Sequence, residues 1–164
     1  EVYMDSVHYK LNVGCADCHM PIVEDKTGTR YRSHDSSKSV LNSKASMQYC
    51  LGCHTSDKVK TVKDMVAYVR NAQKSVAEKD AAVAKKQDET FDLLKVAIEG
   101  KKLDEKAINE AKFKYAVAAY YKEFVYGNRG ATPGEKVAHN PEKNRRYLEK
   151  ALSVLDEAQT ILKN

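Results

Sequence analysis

Two short runs in the chain carry residue types that can bind a cofactor covalently. The first is Cys-Ala-Asp-Cys-His at residues 15–19, and the second is Cys-Leu-Gly-Cys-His at residues 50–54. Two thiols about one helical turn apart can form thioether bonds to the two vinyl groups on one edge of a porphyrin, and a histidine directly after the second thiol can ligate the iron. The runs therefore predict two covalently attached haem c groups. The residues concerned are Cys15, Cys18, Cys50 and Cys53 for the thioethers, and His19 and His54 for the iron.

Other kinds of cysteine site fit this spacing less well. The two cysteine pairs are separated by residues 19–49, a longer interval than zinc ribbons use, and zinc does not require a histidine after each pair. Redox dithiols of the thioredoxin type sit in a βαβ context, which this chain lacks. Structural disulfides would leave the two histidines unexplained. The pattern therefore favours haem over zinc and over cysteine redox chemistry.

Composition limits the class of protein and its partners. The chain has 164 residues, which suits one domain, and with 31% charged residues it has no apolar run long enough to predict a membrane span. The formal net charge is +5, but haem propionates offset it and the lysine-rich stretches lack interleaved aromatic residues, so we expect no nucleic-acid partner. Because thioether attachment takes place outside the cytoplasm in bacteria, we expect a periplasmic or extracellular protein whose signal peptide has been removed. A redox partner protein is the expected contact.

The elements that must position these motifs are mainly helical. Residues 1–55 form a loop-rich dihaem segment in which turn formers such as Thr27–Thr29 predict only short helical turns. Residues 56–164 form a helical segment, and we expect the two segments to behave as one cooperative domain. Its apolar spacing and capping residues predict three long antiparallel helices, at 56–99 with Ser56 as cap, at 104–126 with Asp104 as cap, and at 141–163 after Asn140–Pro141. A first helix of about 60 Å exceeds what a small globule covers, so we expect part of it to pack on another helix or another subunit.

The histidine count indicates which residues supply the remaining axial ligands of the two haem irons. There are five histidines, and after the two motif histidines three remain: His8, His34 and His139. A haem used for electron transfer usually has six ligands, so two haems require two more. Methionine can also serve, and Met4, Met20, Met47 and Met65 are present. Since the spare histidines lie in loops or at element ends, we favour His8 and His139, which leaves His34 in excess.

The chain also resembles a known family. Val7–His8 followed by Val13–Pro21, which contains the first motif, is similar to the fourth haem motif of pentahaem cytochrome c nitrite reductase, the periplasmic enzyme that reduces nitrite to ammonium. Ser33–Asp35, the second motif, the long helices and His139–Glu142 follow in the family's order. The resemblance spans essentially all of this chain but only the C-terminal part of the family's protein.

The resemblance implies a role for each spare histidine. His139 corresponds to the distal ligand of the haem on Cys15, Cys18 and His19. His8 corresponds to the distal ligand of the haem on the second motif. The family's counterpart of His34 ligates a haem attached upstream, on a part of the protein absent here. Val40 stands where the family tends to have proline.

Parts of the family's catalytic site have no counterpart in this sequence. The family's catalytic haem has a lysine in place of the proximal histidine, and neither that motif nor its pocket and calcium site is in this sequence. We therefore expect no catalytic residue here and no nitrite reduction by this chain alone. Three hypotheses remain: an electron-transfer protein with two bis-histidine low-spin haems, a fragment or subunit of a complete nitrite reductase, and a subunit of a polymeric cytochrome in which His34 ligates a neighbour's haem. In the first, the long helices form a homo-oligomer contact, as the family's C-terminal helices do.

Overall fold

The computed structural model describes residues 3–35, 40–101, 103–126 and 139–164. They form two compact units, residues 3–71 and 72–164, with the boundary inside a long helix. The mainly α fold predicted from the sequence is confirmed, with a loop-rich first part and long helices after it. The behaviour of the two units as one cooperative domain stays a prediction.

The first unit consists of short elements joined by turns. Backbone hydrogen bonds join the loop after the first helix back to that helix, and Asn12 in this loop adopts a left-handed φ of 57°, which asparagine tolerates. A 3₁₀ turn at Val40–Asn42 precedes the third helix. The elements in order are α1 (Val7–Lys10), α2 (Cys15–His19), β1 (Ile22–Glu24), β2 (Arg30–Arg32), α3 (Lys44–Leu51) and the start of α4 (Val62–Gly100).

Strands β1 and β2 form an antiparallel hairpin that the sequence analysis did not predict. Its turn is held by one carboxylate oxygen of Asp25, which accepts hydrogen bonds from the backbone N–H groups of Thr27 and Thr29 at 2.8 and 3.0 Å. Gly28 has a positive φ of 84°, a conformation that glycine adopts at no steric cost. Each strand has only three residues, too short for alternation of apolar and polar residues to reveal it.

Helix α4 begins at Val62, so the expected start at 56 with Ser56 as cap is wrong. Thr61 and Asp64 form a reciprocal capping box: the Thr61 N–H donates to Asp64 Oδ2 at 2.9 Å and the Asp64 N–H donates to Thr61 Oγ1 at 3.2 Å. Ser56 instead pairs through its backbone with Val59. Thr61 therefore displaces Ser56 as the helix start because it has an acidic partner three residues later.

The second unit contains the rest of α4, α5 (Glu105–Tyr126) and α6 (Pro141–Lys163). The Asp104 carboxylate accepts from the Ala107 N–H at 2.7 Å, and the Asn140 side chain accepts from the Lys143 N–H at 3.0 Å, so both predicted caps are confirmed. Ion pairs fix the helix directions. Lys79 pairs with Glu149 and Lys86 with Asp156, which makes α4 and α6 parallel. Within α5–α6, Lys114 pairs with Glu157 while Tyr121 stacks on Tyr147, so these helices run antiparallel.

The core of this unit follows a seven-residue repeat. Its buried positions follow steps of three and four residues on most of α4 and α6 and steps of seven on α5, as in a coiled coil. Two of the buried polar side chains bond to each other: the Gln159 amide on α6 donates to the Thr90 hydroxyl on α4 at 3.1 Å. The buried residues are Val76, Asp80, Val83, Thr90, Leu94 and Ala97 on α4, Ala111, Ala118 and Val125 on α5, and Asn144, Leu148, Ala151, Leu155, Ala158 and Gln159 on α6.

Candidate functional site

The first cysteine motif forms the one-turn helix α2. The Asp17 N–H donates to the Gly14 carbonyl at 3.1 Å and the Met20 N–H donates to the Ala16 carbonyl at 2.8 Å, so the motif is helical throughout. This spacing sets Cys15 and Cys18 about one turn apart along the helix. His19, the last residue of the helix, is exposed.

The second motif begins on α3 and continues as a turn. Ser43 caps α3 by accepting from the Ser46 N–H at 3.2 Å. Past the helix end, the N–H groups of Cys53 and His54 both donate to the Cys50 carbonyl, at 3.2 and 3.0 Å. The backbone therefore holds the second motif in the same kind of turn as the first.

The structure brings one thiol of each motif together. The Cys18 thiol donates a hydrogen bond to Cys50, and this bond lowers the pKa of Cys50 to about 7 while it raises the pKa of Cys18. Neither thiol is in a disulfide, and Cys15 and Cys53 are exposed and likewise free. All four thiols are thus available for thioether bonds.

His8 and His54 lie close together. Their ring centres are 6.0 Å apart and the ring planes are inclined at 54°. Two imidazoles that ligate one metal ion from opposite sides, with metal–nitrogen bonds of about 2 Å, hold their ring centres roughly 6 Å apart. The spacing of this pair therefore fits an iron between the rings. Helix α1 positions His8, and Ser6 caps α1 by accepting from the Tyr9 N–H at 3.0 Å.

Tyr68 on α4 is a neighbour of His54 that the sequence analysis did not single out. Its ring centre lies 5.8 Å from that of His54. Burial of His54, followed by the nearby His8, lowers the pKa of His54. A lowered pKa keeps the imidazole neutral, the form that binds metals.

Each motif histidine lines a cavity. The two cavities are separate, of about 100 Å³ at His19 and about 370 Å³ at His54. The first is lined by His19, Pro21, Val23, Ser33, Asp35, Val40, Ser43 and Ser46, and the second by Leu51, His54, Thr55, Ser56, Asp57, Val59 and Lys60.

The polypeptide of the first unit leaves much apolar surface exposed. Among its described residues, the buried large apolar side chains are four: Met47, Val59, Met65 and Val69. A porphyrin would cover apolar side chains of this kind, so the distribution fits a unit whose core includes a large apolar group. The exposed large apolar residues of the unit are Met4, Val7, Tyr9, Leu11, Ile22, Tyr31, Tyr49 and Tyr68.

Two further histidines, His34 and His139, were also expected to be ligands. His34 is exposed in the segment that follows β2. His139 is partly buried and directly precedes Asn140, the cap of α6, in the second unit. Their assignments as ligands stay predictions. Near the first motif, the Asp17 carboxylate accepts hydrogen bonds from the Gly14 N–H and from Arg32.

A family comparison decides what kind of protein carries these motifs. The family model for cytochrome c552 matches residues 1–164. The chain belongs to the cytochrome c552 family. This confirms the resemblance to the nitrite reductases, since the cytochrome c552 family is theirs. Membership implies covalently bound haem c and a role in electron transfer or nitrite reduction, and it rejects the zinc alternative.

The residues present fit the haem c that the cytochrome c552 family implies. The chain offers free thiols in two helical turns and an imidazole pair with the spacing of two axial ligands. Among the described ranges, none of the helices combines the length and apolar character needed to span a bilayer. In this member of the cytochrome c552 family, sequence reasoning found the local motifs and missed Tyr68 and Arg32, which reach the motifs through tertiary folding.

Proposed function

We propose that this chain is an electron-transfer protein that holds two haem c groups, each low spin and ligated by two histidines. The observation that supports this most is the proximity of His8 and His54, whose ring centres are 6.0 Å apart. When bound, each haem supplies a one-electron Fe(III)/Fe(II) couple. The chain's residues hold each group covalently, supply both axial ligands and so leave no position at the iron for a substrate.

The ligands are assigned as follows under this proposal. His54 and His8 serve the haem on Cys50 and Cys53. His19 and His139 serve the haem on Cys15 and Cys18. The hydrogen bond between Cys18 and Cys50 supports a close approach of the two groups, because each thiol is an attachment point of a different haem.

Carbon monoxide binding by the haem-loaded, reduced protein tests the proposal. We expect the native protein to take up none, because both irons have six ligands. We expect His8→Ala to take up about one equivalent per chain, whereas Lys10→Ala, an exposed change on the same helix, takes up none. Rapid uptake by the native protein at either haem would contradict the assignment.

A second candidate function follows from the family itself. In this alternative the chain is part of a complete nitrite reductase, either as a fragment or as one chain of a split enzyme, and works as its electron relay. The intact mass of the protein in its source distinguishes the two. A larger polypeptide, or an associated chain with three further haem motifs, favours the nitrite reductase, whereas a chain of this length with two haem masses favours the dihaem protein.

The proposal includes an extracytoplasmic location, a redox partner protein and self-association through the long helices. Exposed aromatic side chains on α5 support the last of these: Phe113 is 69% exposed and Tyr120 is 63% exposed. A further alternative is that the exposed His34 ligates a haem of a neighbouring copy. In that case His34→Ala would abolish assembly while both haems of each chain stay attached.

A further inference from the structure

Arg32, at the end of β2, makes three hydrogen bonds to the helix of the first motif. Its Nη1 donates to the carbonyl oxygens of Ala16 and Met20, at 3.3 and 3.2 Å, and its Nη2 donates to Asp17 Oδ1 at 3.2 Å. Ala16 and Met20 lie on either side of His19 in the sequence. One guanidinium therefore binds the backbone both before and after the iron-ligating histidine.

Helix α2 needs such support. It has five residues, whereas an isolated helix below about 12–15 residues is marginal in water. Its Ala16 carbonyl already accepts from the Met20 N–H, and a cation at this end of a helix is favourable. At the other end, Asp17 Oδ2 accepts from the Gly14 N–H at 2.7 Å. The Arg32–Asp17 ion pair thus joins contacts at both ends of the turn.

The hairpin holds the backbone of Arg32 in place. Arg32 is paired with Ile22 in the strand register, and the Ser33 N–H donates to the Pro21 carbonyl at 2.9 Å. Pro21 and Ile22 follow the first motif with only Met20 between them. The guanidinium therefore projects from a backbone that is hydrogen-bonded to the residues next to α2.

We propose that Arg32 is a positioning residue for the first haem motif: its forked contacts fix the one-turn helix and thereby the direction in which His19 presents its imidazole. The inference rests on the proposed function, because it assumes a haem on this motif. The proposed role depends on the planar, forked shape of the Arg32 guanidinium and not on its charge alone. The Arg32 side chain is 46% exposed, so solvent screens its charge. A lysine at this position would keep the charge but could not make the planar contacts to three acceptors.

The test uses the haem-loaded protein and three variants. Arg32→Gln removes charge and fork, and Arg32→Lys keeps the charge without the fork. Arg30→Gln is the matched control, since Arg30 is an exposed arginine two residues earlier on the same strand. Haem content per chain comes from intact mass. The low-spin ferric EPR spectrum reports the angle between the axial imidazole planes of each haem.

We expect two haems in every variant and a displacement of one of the two low-spin EPR signals in both Arg32 variants, with the Arg30→Gln spectrum unchanged. Native spectra from both Arg32 variants would overturn the proposal, and so would a native spectrum from Arg32→Lys alone, because charge would then suffice. If Arg32→Gln fails to mature, the comparison of Arg32→Lys with Arg30→Gln decides. A native protein with fewer than two haems would instead overturn the proposed function, and the inference with it.

Discussion

At the scale of single residues, the environment of His54 shows what tertiary folding adds to a local motif. The motif predicts an iron ligand from the run at 50–54 alone. The fold then brings two aromatic rings to this side chain, His8 from α1 and Tyr68 from α4, at 6.0 and 5.8 Å between ring centres. One of these is a ligand under the proposed function, and the other packs beside the ligand.

Replacement of Tyr68 by leucine tests this packing. We expect Tyr68→Leu to lower the free energy of unfolding by about 1 kcal/mol, the usual contribution of an aromatic pair beyond buried area. Tyr31→Leu is the matched control, because Tyr31 is 51% exposed against 53% for Tyr68 and lies in the same unit. The measurement is denaturant unfolding followed by circular dichroism. Equal losses in the two variants would mean that the contact with His54 contributes nothing specific.

The residues that the sequence predicted and those it missed differ in one physical respect. Cys15, Cys18 and His19 are recognisable because thioether attachment and iron ligation need a fixed local spacing. His8 emerged from a count of ligands. The hairpin brings Arg32 to the first motif and α4 brings Tyr68 to the second. Nothing in the local sequence of either residue indicates that contact.

At the scale of elements, the start of α4 shows how two caps compete. Ser56 and Thr61 both have hydroxyls that can cap a helix. Only Thr61 has a carboxylate partner three residues later, Asp64, whose side chain also accepts from the Lys60 N–H at 3.2 Å. The sequence predicted the three long helices well, because their apolar periodicity is sustained. It misplaced this start because propensity alone does not rank neighbouring caps.

The competing caps give a paired prediction. We expect Thr61→Ala to lower the free energy of unfolding by about 1 kcal/mol, the typical loss for a helix cap. Ser56→Ala should leave stability nearly unchanged, since Ser56 lies outside the helix. Urea unfolding of the haem-loaded protein checks both. A larger loss for Ser56→Ala than for Thr61→Ala would place the helix start at Ser56 after all.

The same capping box predicts a dependence on pH. Hydrogen bonds from the Thr61 hydroxyl and then from the Lys60 backbone lower the pKa of Asp64 below its ordinary value. A depressed pKa means that the contribution is fully present above the ordinary pKa and is lost as the pH falls through the folded-state pKa. We therefore expect Asp64→Asn to be less stable than the native protein at pH 7 and the difference to shrink on acidification below pH 4. A difference that grows on acidification would contradict this.

At the scale of the whole molecule, apolar surface is distributed differently in the two units. In the first unit, which contains both haem motifs, the exposed apolar side chains include Tyr68 beside His54, and haem would cover side chains of this kind. In the second unit they lie on helices that have no haem motif, and Phe113 and Tyr120 are seven residues apart on α5. The second group is therefore available to another copy of the chain under the proposed function.

Light scattering over a range of protein concentrations tests this surface. We expect Phe113→Gln combined with Tyr120→Gln to lower the average mass towards that of a single chain, because both changes remove apolar area from one stripe. Lys112→Gln, an exposed change on the same helix, should leave the mass unchanged. An unaltered mass in the double variant, in a protein that self-associates, would place the contact elsewhere.

The ion pairs between α4 and α6 do not by themselves define how these helices are aligned. Lys79 and Lys86 are seven residues apart, and so are their partners Glu149 and Asp156, so a slip of one helix by seven residues would still match a lysine with a carboxylate. Many of the apolar core positions repeat with the same period. The bond between Thr90 and Gln159 does not repeat, because a shifted Gln159 would lie buried without the Thr90 hydroxyl as its partner. This pair of buried polar side chains thus favours one alignment of α4 with α6 where the two ion pairs alone would allow another.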